Sequence, residues 1–355
     1  MSTTILDYTR NQELQPAHML WQMYDPDAAP HRFCATTRED AETWQQRTRQ
    51  ALNESIGFQT LPTAPLDVER IESVDKGGYI REKIVLRTSA FSVMPVYLLV
   101  PKNVPTPIPV VLAFHGHGYG AKDIVGLWED GEERGTPEEV HRDFGVALCK
   151  HGFAVAAPEI LGFGERQTDF ACLNTLIGQE VPTTCAHTAM LAFHLGGSVV
   201  GLRIYEGKRL VDYLETRDEL DSSRLGAMGL SGGGMHTFFS TCVDERIRAC
   251  VVSGYYCAFR HSIFAMHHCA CNFVPGLHRF GEIYDLAGLI APRPLLVESG
   301  SYDPIFPSKA VQQTVEKTRP IYTLFQADTR LETEYFEGRH RINGQRAYTF
   351  LQQHL

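Results

Sequence analysis

Hydrophobic positions along the chain change their period near residue 75. Before that point the chain is largely polar. Only Arg38–Ile56 carries its apolar residues at helical spacing, with Asp40 and Glu42 early, where carboxylates favour a helix start. Pro62 and Pro65 then break the chain before any strand-like segment begins. This predicts a helical N-terminal extension over residues 1–75, packed on a main domain over residues 76–355. From Tyr79 onward short apolar runs alternate with helical segments, the pattern of a mostly parallel sheet covered on both faces. Residues 79–88 and 95–100 read as a leading antiparallel pair. Residues 110–114 and 153–157 read as buried strands, with a helix over 138–150 between them. A long helix is expected over 201–215, with Leu202, Tyr205, Leu210 and Leu214 roughly on one side. Further strands are expected over 225–230, 249–253, 294–298 and 333–336, and a closing helix over 344–353.

The strongest chemical signal lies in that second part. Gly229-Leu230-Ser231-Gly232-Gly233-Gly234 contains Gly-x-Ser-x-Gly, with a strand-like run before it and a helix-compatible run after it. A strand that turns abruptly into a helix holds its serine in a strained backbone with the hydroxyl raised above the sheet. The helix start beyond it also offers free N–H groups to an oxyanion. Ser231 is therefore the candidate nucleophile and the Gly232 N–H a candidate oxyanion donor.

A serine hydroxyl needs a base to take its proton, and the base needs a carboxylate to fix its tautomer. Asp303 follows the predicted strand 294–298 on a loop, and His340 follows the predicted strand 333–336. The chain order serine, acid, histidine is the one this arrangement requires. Glu298 is the alternative acid, but a residue within a buried strand is less free to reach the histidine. On the other side of the site, Phe114-His115-Gly116-His117-Gly118 follows a buried strand, and a backbone N–H of His117 or Gly118 is expected to complete the oxyanion hole.

Metal binding is not expected. His115 and His117 supply two ligands without a convincing third, and His267-His268-Cys269-Ala270-Cys271 lacks the paired spacing of a zinc module. Its cysteines read as buried thiols, and no cofactor is called for.

Taken together, the His-Gly-His-Gly loop, Gly162-Phe163-Gly164-Glu165-Arg166, Gly-Leu-Ser-Gly-Gly-Gly, the His-His-Cys-Ala-Cys-Asn-Phe-Val-Pro-Gly run ending at Gly276, Ile-Ala-Pro-Arg-Pro ending at Pro294 and Glu-Ser-Gly-Ser-Tyr-Asp-Pro-Ile-Phe-Pro ending at Pro307 occur in sequence. The chain resembles bacterial α/β hydrolases described as acetyl-xylan-esterase-like or dienelactone-hydrolase-like. The resemblance runs from about His115 to His340. It implies the α/β-hydrolase fold, a serine mechanism and a carboxylic-ester substrate, with a short-acyl or acetyl ester as the suggested case. One departure is Arg339, where a small residue such as glycine is often found before the histidine.

Composition narrows the partners. Of 355 residues, 43% are hydrophobic and 21% charged, so a core of ordinary size is within reach. Lys and Arg number 33 against 42 Asp and Glu, a net charge of -9 that argues against nucleic acid or an anionic membrane as partner. The start has neither a basic nor an apolar leader segment, no apolar run approaches the ~20 residues of a membrane span, and nine cysteines show no framework spacing. A cytoplasmic chain with reduced thiols is expected. The expected partner is a small-molecule ester. The N-terminal extension is expected either to cover the cleft or to mediate self-association into a homo-oligomer. Residues 167–194 and 255–284 exceed simple connections and are expected to shape the acyl and alcohol pockets, with Phe170, Phe193, Tyr255, Tyr256 and Phe259 as candidate lining residues. Amide, thioester or carbon–carbon bond hydrolysis on the same fold, and non-catalytic binding, are the alternatives.

Overall fold

The computed structural model describes residues 14–137, 139–170 and 183–355. Nine strands form one sheet: β1 (Glu69–Asp75), β2 (Tyr79–Ser89), β3 (Ser92–Pro101), β4 (Ile108–Phe114), β5 (Ala154–Pro158), β6 (Leu220–Leu230), β7 (Ile247–Ser253), β8 (Leu295–Gly300) and β9 (Leu331–Phe336). Their spatial order is β1-β2-β3-β5-β4-β6-β7-β8-β9. Strand β2 pairs antiparallel with both β1 and β3, β3 meets β5 antiparallel, and every neighbouring pair from β5 across to β9 is parallel. The leading antiparallel pair predicted from residues 79–100 is β2 with β3. Strand β1 is an edge strand whose residues are mostly exposed, so its alternation carries no hydrophobic signal, and it lies within the stretch expected to be helical.

The helices described are α1 (Pro16–Met23), α2 (Arg38–Ile56), α3 (Phe144–Lys150), α4 (Thr184–His194), α5 (Val199–Leu214), α6 (Gly232–Val243), α7 (Ile283–Leu286), α8 (Ser308–Leu324) and α9 (Ala347–His354). Successive residues of the central strands face opposite sides of the sheet. In β4, Val110, Leu112 and Phe114 pack with Val199, Leu210 and Leu214 of α5, whereas Val111 and Ala113 pack with Phe144 and Leu148 of α3 and with Phe350 and Leu351 of α9. Both faces of the inner strands are therefore buried, which explains their continuous apolar runs. The helix expected over 138–150 begins only at Phe144; residues 139 and 142–143 adopt positive φ, which a helix does not tolerate. This is an α/β-hydrolase fold.

Helix α2 shows why the extension docks. Thr37 caps it by accepting the Asp40 N–H at 3.2 Å, and Glu39 and Asp40 lie in the first turn against the helix dipole. Ala41, Trp44, Leu52 and Ile56 form the buried stripe and join a core with Met235, Phe238 and Phe239 of α6. The Trp44 indole N–H is satisfied by the carbonyls of His31 and Arg32, both at 3.0 Å. No single helix among the described residues is long and apolar enough to cross a membrane; α4 and α5 pass that test only as a pair, bent by 95°.

Candidate functional site

Ligands of open α/β sheets bind outside the carboxyl ends of the parallel strands. Four segments that carry predicted site residues leave the sheet at that edge: residues after β4, β6, β8 and β9. Their side chains converge there.

Ser231 is the residue between β6 and α6, with φ 56° and ψ -118°. A non-glycine residue in this region is strained, and the surroundings hold it there. Its N–H donates to the Ser253 carbonyl at 2.9 Å, and its carbonyl accepts the Met235 N–H at 2.8 Å. The turn is tight enough that a Cβ on Gly233 would collide with the Phe114 carbonyl. A Cβ on Gly116 would lie 2.7 Å from the Leu230 carbonyl oxygen and 3.3 Å from the Ser231 Cβ. The glycines that surround the serine in sequence are thus a requirement of close backbone approach.

The His340 Nδ1 and the Asp303 Oδ2 are 2.7 Å apart. The other carboxylate oxygen, Oδ1, accepts the N–H groups of Ile305 at 2.8 Å and Phe306 at 3.0 Å. Asp303 is buried and the imidazole is partly so, lying flat against Phe306 at a ring separation of 5.8 Å. The loop before His340 rests on the end of β8: a Cβ on Gly300 would fall 2.5 Å from the Arg339 carbonyl oxygen. Arg339 itself is exposed, so it keeps its place in this loop by pointing to solvent.

Glu298 has no bond to His340. Its Oε1 accepts from the Ser253 hydroxyl at 2.7 Å and the Asn343 N–H at 3.0 Å, and its Oε2 accepts from the Gly344 N–H at 2.7 Å. It ties the chain just beyond His340 to β7 and β8. Complete burial pushes its carboxyl up to about 7, partly opposed by those hydrogen bonds.

Facing Ser231, the Gly116 N–H donates to the His141 Nε2 at 2.8 Å, and the His141 Nδ1 lies 2.7 Å from Asp123 Oδ2. Because Nε2 accepts, the proton sits on Nδ1 and goes to the carboxylate. Burial pulls the His141 pKa down despite Asp123, which keeps the ring neutral. Arg134 in turn holds Asp123, with Nη1 at 3.2 Å from Oδ1. Sequence reasoning missed this second histidine–aspartate pair, since nothing in the spacing of Asp123 and His141 marks them. Among the described residues, no hydrogen bond claims the backbone N–H of His117 or Gly118.

Ser231, Gly232, His117 and His340 line one cleft of about 260 Å³, together with His141, Met266, His267, His268, Cys269 and Phe306. Residues 255–284 therefore supply one wall, as expected. The aromatic candidates do not: Tyr255, Tyr256 and Phe259 are buried in the core beneath, and neither Phe170 nor Phe193 reaches the cleft. Buried aromatic runs in the sequence look the same whether they line a pocket or support it. Within 167–194, residues 171–182 lie outside the described residues.

His115 and His117 do not act together. The His115 Nε2 accepts the Ile160 N–H at 3.1 Å and its Nδ1 faces the Gly116 carbonyl at 2.8 Å, so this ring serves the backbone. His117 instead points at the sulfurs of Cys185, Cys269 and Cys271, a grouping that sequence spacing hides because Cys185 is remote from the other two.

Fold and strand-end cleft together are those of the α/β-hydrolase class. Residues 17–318 match the profile of the Abhydrolase family, and the chain belongs to that family. Over 268 residues it is 26% identical to the Bacillus subtilis (strain 168) protein named "Putative hydrolase YtaP", covering 73% of this chain and 81% of that one. Among solved structures, one titled a "putative acetyl xylan esterase" from Bacteroides fragilis NCTC 9343 superposes with a TM-score of 0.74 at 17% identity, covering 91% of this chain and 82% of the other. A glucuronoyl esterase from Solibacter usitatus gives 0.63 at 18% identity, covering 92% and 99%. At these identities the likeness is one of fold.

Proposed function

We propose that the protein hydrolyses a carboxylic ester of small acyl group through an acyl-enzyme on Ser231. The observation that carries this reading is the 2.7 Å contact between His340 Nδ1 and Asp303 Oδ2 at the rim of the cleft that also holds Ser231. With its Nδ1 proton directed to the carboxylate, the imidazole presents the Nε2 lone pair as base. His340 takes the Ser231 proton as the oxygen attacks the ester carbonyl. The N–H of Gly232 and that of His117 or Gly118 stabilise the oxyanion. His340 then protonates the leaving alkoxide, and water, activated by the same imidazole, releases the acid and restores the serine.

The cleft is smaller than the ~300–1,000 Å³ of ordinary ligand pockets, which favours an acetyl or other short acyl group. The names of the structural neighbours favour an ester on a carbohydrate. A series of 4-nitrophenyl esters of increasing acyl length tests the acyl preference and, with Ser231→Ala, the serine mechanism. Turnover should be highest for acetyl or propionyl and fall steeply with length, and Ser231→Ala should lose the activity by about 10⁴-fold or more. Full activity in Ser231→Ala would refute the serine mechanism, and a preference for long acyl chains would refute the small-acyl reading.

A further inference from the structure

Three sulfurs and one imidazole meet beside the cleft, although they come from three separate parts of the chain. Cys185 is the second residue of α4, Cys269 precedes and Cys271 lies within a short 3₁₀ turn (Ala270–Asn272), and His117 belongs to the loop after β4. One donor atom from each lies within 4.8 Å of every other, and the His117 Nε2 is 3.9 Å from the Cys271 Sγ. Zinc–sulfur bonds of about 2.3 Å and zinc–nitrogen bonds of about 2.0 Å set tetrahedral edges of roughly 3.5–3.8 Å, so only small side-chain shifts separate this arrangement from a coordination sphere. We propose that His117, Cys185, Cys269 and Cys271 form a Cys₃His site for a structural zinc ion.

Four features support a metal rather than a chance cluster of thiols. The donors are soft and number four, the set that suits tetrahedral zinc and leaves no open position for substrate. Binding expels three thiol protons and leaves the zinc with three thiolates at a net charge of -1. The buried Arg203 guanidinium, with Nη2 3.8 Å from the Cys185 Sγ, offsets that charge. The Asn272 amide lies 4.0 Å from the Cys271 Sγ and supplies a second outer contact. Cys185 and Cys271 are buried, whereas Cys269 and His117 border the cleft, which gives the ion a way in.

The site would also act on the hydrolytic cleft. Ligation through Nε2 leaves the His117 proton on Nδ1, and a Cβ built on Gly232 would be 3.2 Å from that Nδ1. Phe163 already braces the ring edge-on at 4.9 Å. Zinc would therefore pin the loop proposed to supply an oxyanion N–H to α4 and to the wall of the cleft.

Elemental analysis of the full chain purified without chelator should find close to one zinc per molecule, retained in Ser231→Ala and lost in Cys185→Ser and Cys269→Ser. Because those cysteine variants could fold poorly, the wild type supplies the second measurement. After zinc is stripped, added Co²⁺ should give thiolate-to-metal charge transfer in the near ultraviolet and the intense visible bands of a tetrahedral site, even if the chain was isolated without zinc. A folded wild type that holds no zinc and binds cobalt without those bands overturns the proposal. So does a disulfide among Cys185, Cys269 and Cys271 in the purified protein.

Discussion

At the scale of single residues, position in the fold decides what each carboxylate does. Asp303 and Glu298 are both acidic, buried and near the end of β8, yet only Asp303 bonds His340. Asp303 lies past the strand on a loop that can turn toward the imidazole. Glu298 lies within the strand and is spent on the backbone of Asn343 and Gly344. Burial raises the Glu298 carboxyl from about 4.5 in an unfolded chain to about 7. The native state thus keeps a proton that the unfolded chain releases between those values, so the stabilisation is full below pH 4.5 and lost as pH rises through 7. Replacement by Gln, which has no proton to lose, removes that slope. Relative to Glu298→Gln, the wild type should lose about 3 kcal/mol of stability between pH 4.5 and 7.5, measured as denaturant midpoints across that range. Parallel curves for the two proteins would contradict it.

At the scale of elements, legibility in the sequence followed burial on both faces. The inner strands β4, β5, β6, β7 and β8 announce themselves as continuous apolar runs because helices cover both sides of the sheet. The edge strand β1 has no such cover and was not expected, since its pairing with β2 leaves its side chains exposed. The Gly-x-Ser-x-Gly turn was legible because close backbone approach demands glycine at fixed offsets from Ser231. The pair His141–Asp123 and the cluster of His117 with three cysteines were not, because each is assembled by tertiary contact between segments with no shared spacing. Helix α2 was legible from its stripe, and that stripe packs it against α6. Leu52 is completely buried in it. Leu52→Ala should cost about 2–5 kcal/mol in equilibrium unfolding. A loss below 0.5 kcal/mol would mean that α2 adds little to the fold.

At the scale of the whole molecule, the parallel order of β4 to β9 is what allows residues so distant in sequence to meet. Each of those strands ends at the same edge, so the loops that follow four of them deliver His117, Ser231, Asp303 and His340 to one rim. The antiparallel strands β1 to β3 and the helices on both faces hold that rim in place, and the first residue of α6, Gly232, contributes to it. In the proposed mechanism Ser231 is a nucleophile activated by His340. Peptide mapping by mass spectrometry after treatment with a fluorophosphonate probe measures this directly. Near-stoichiometric phosphonylation at Ser231 is expected, slowed by orders of magnitude in His340→Ala and absent from the unfolded chain. A folded wild type left unlabelled at Ser231, or labelled as fast without the imidazole as with it, would contradict it.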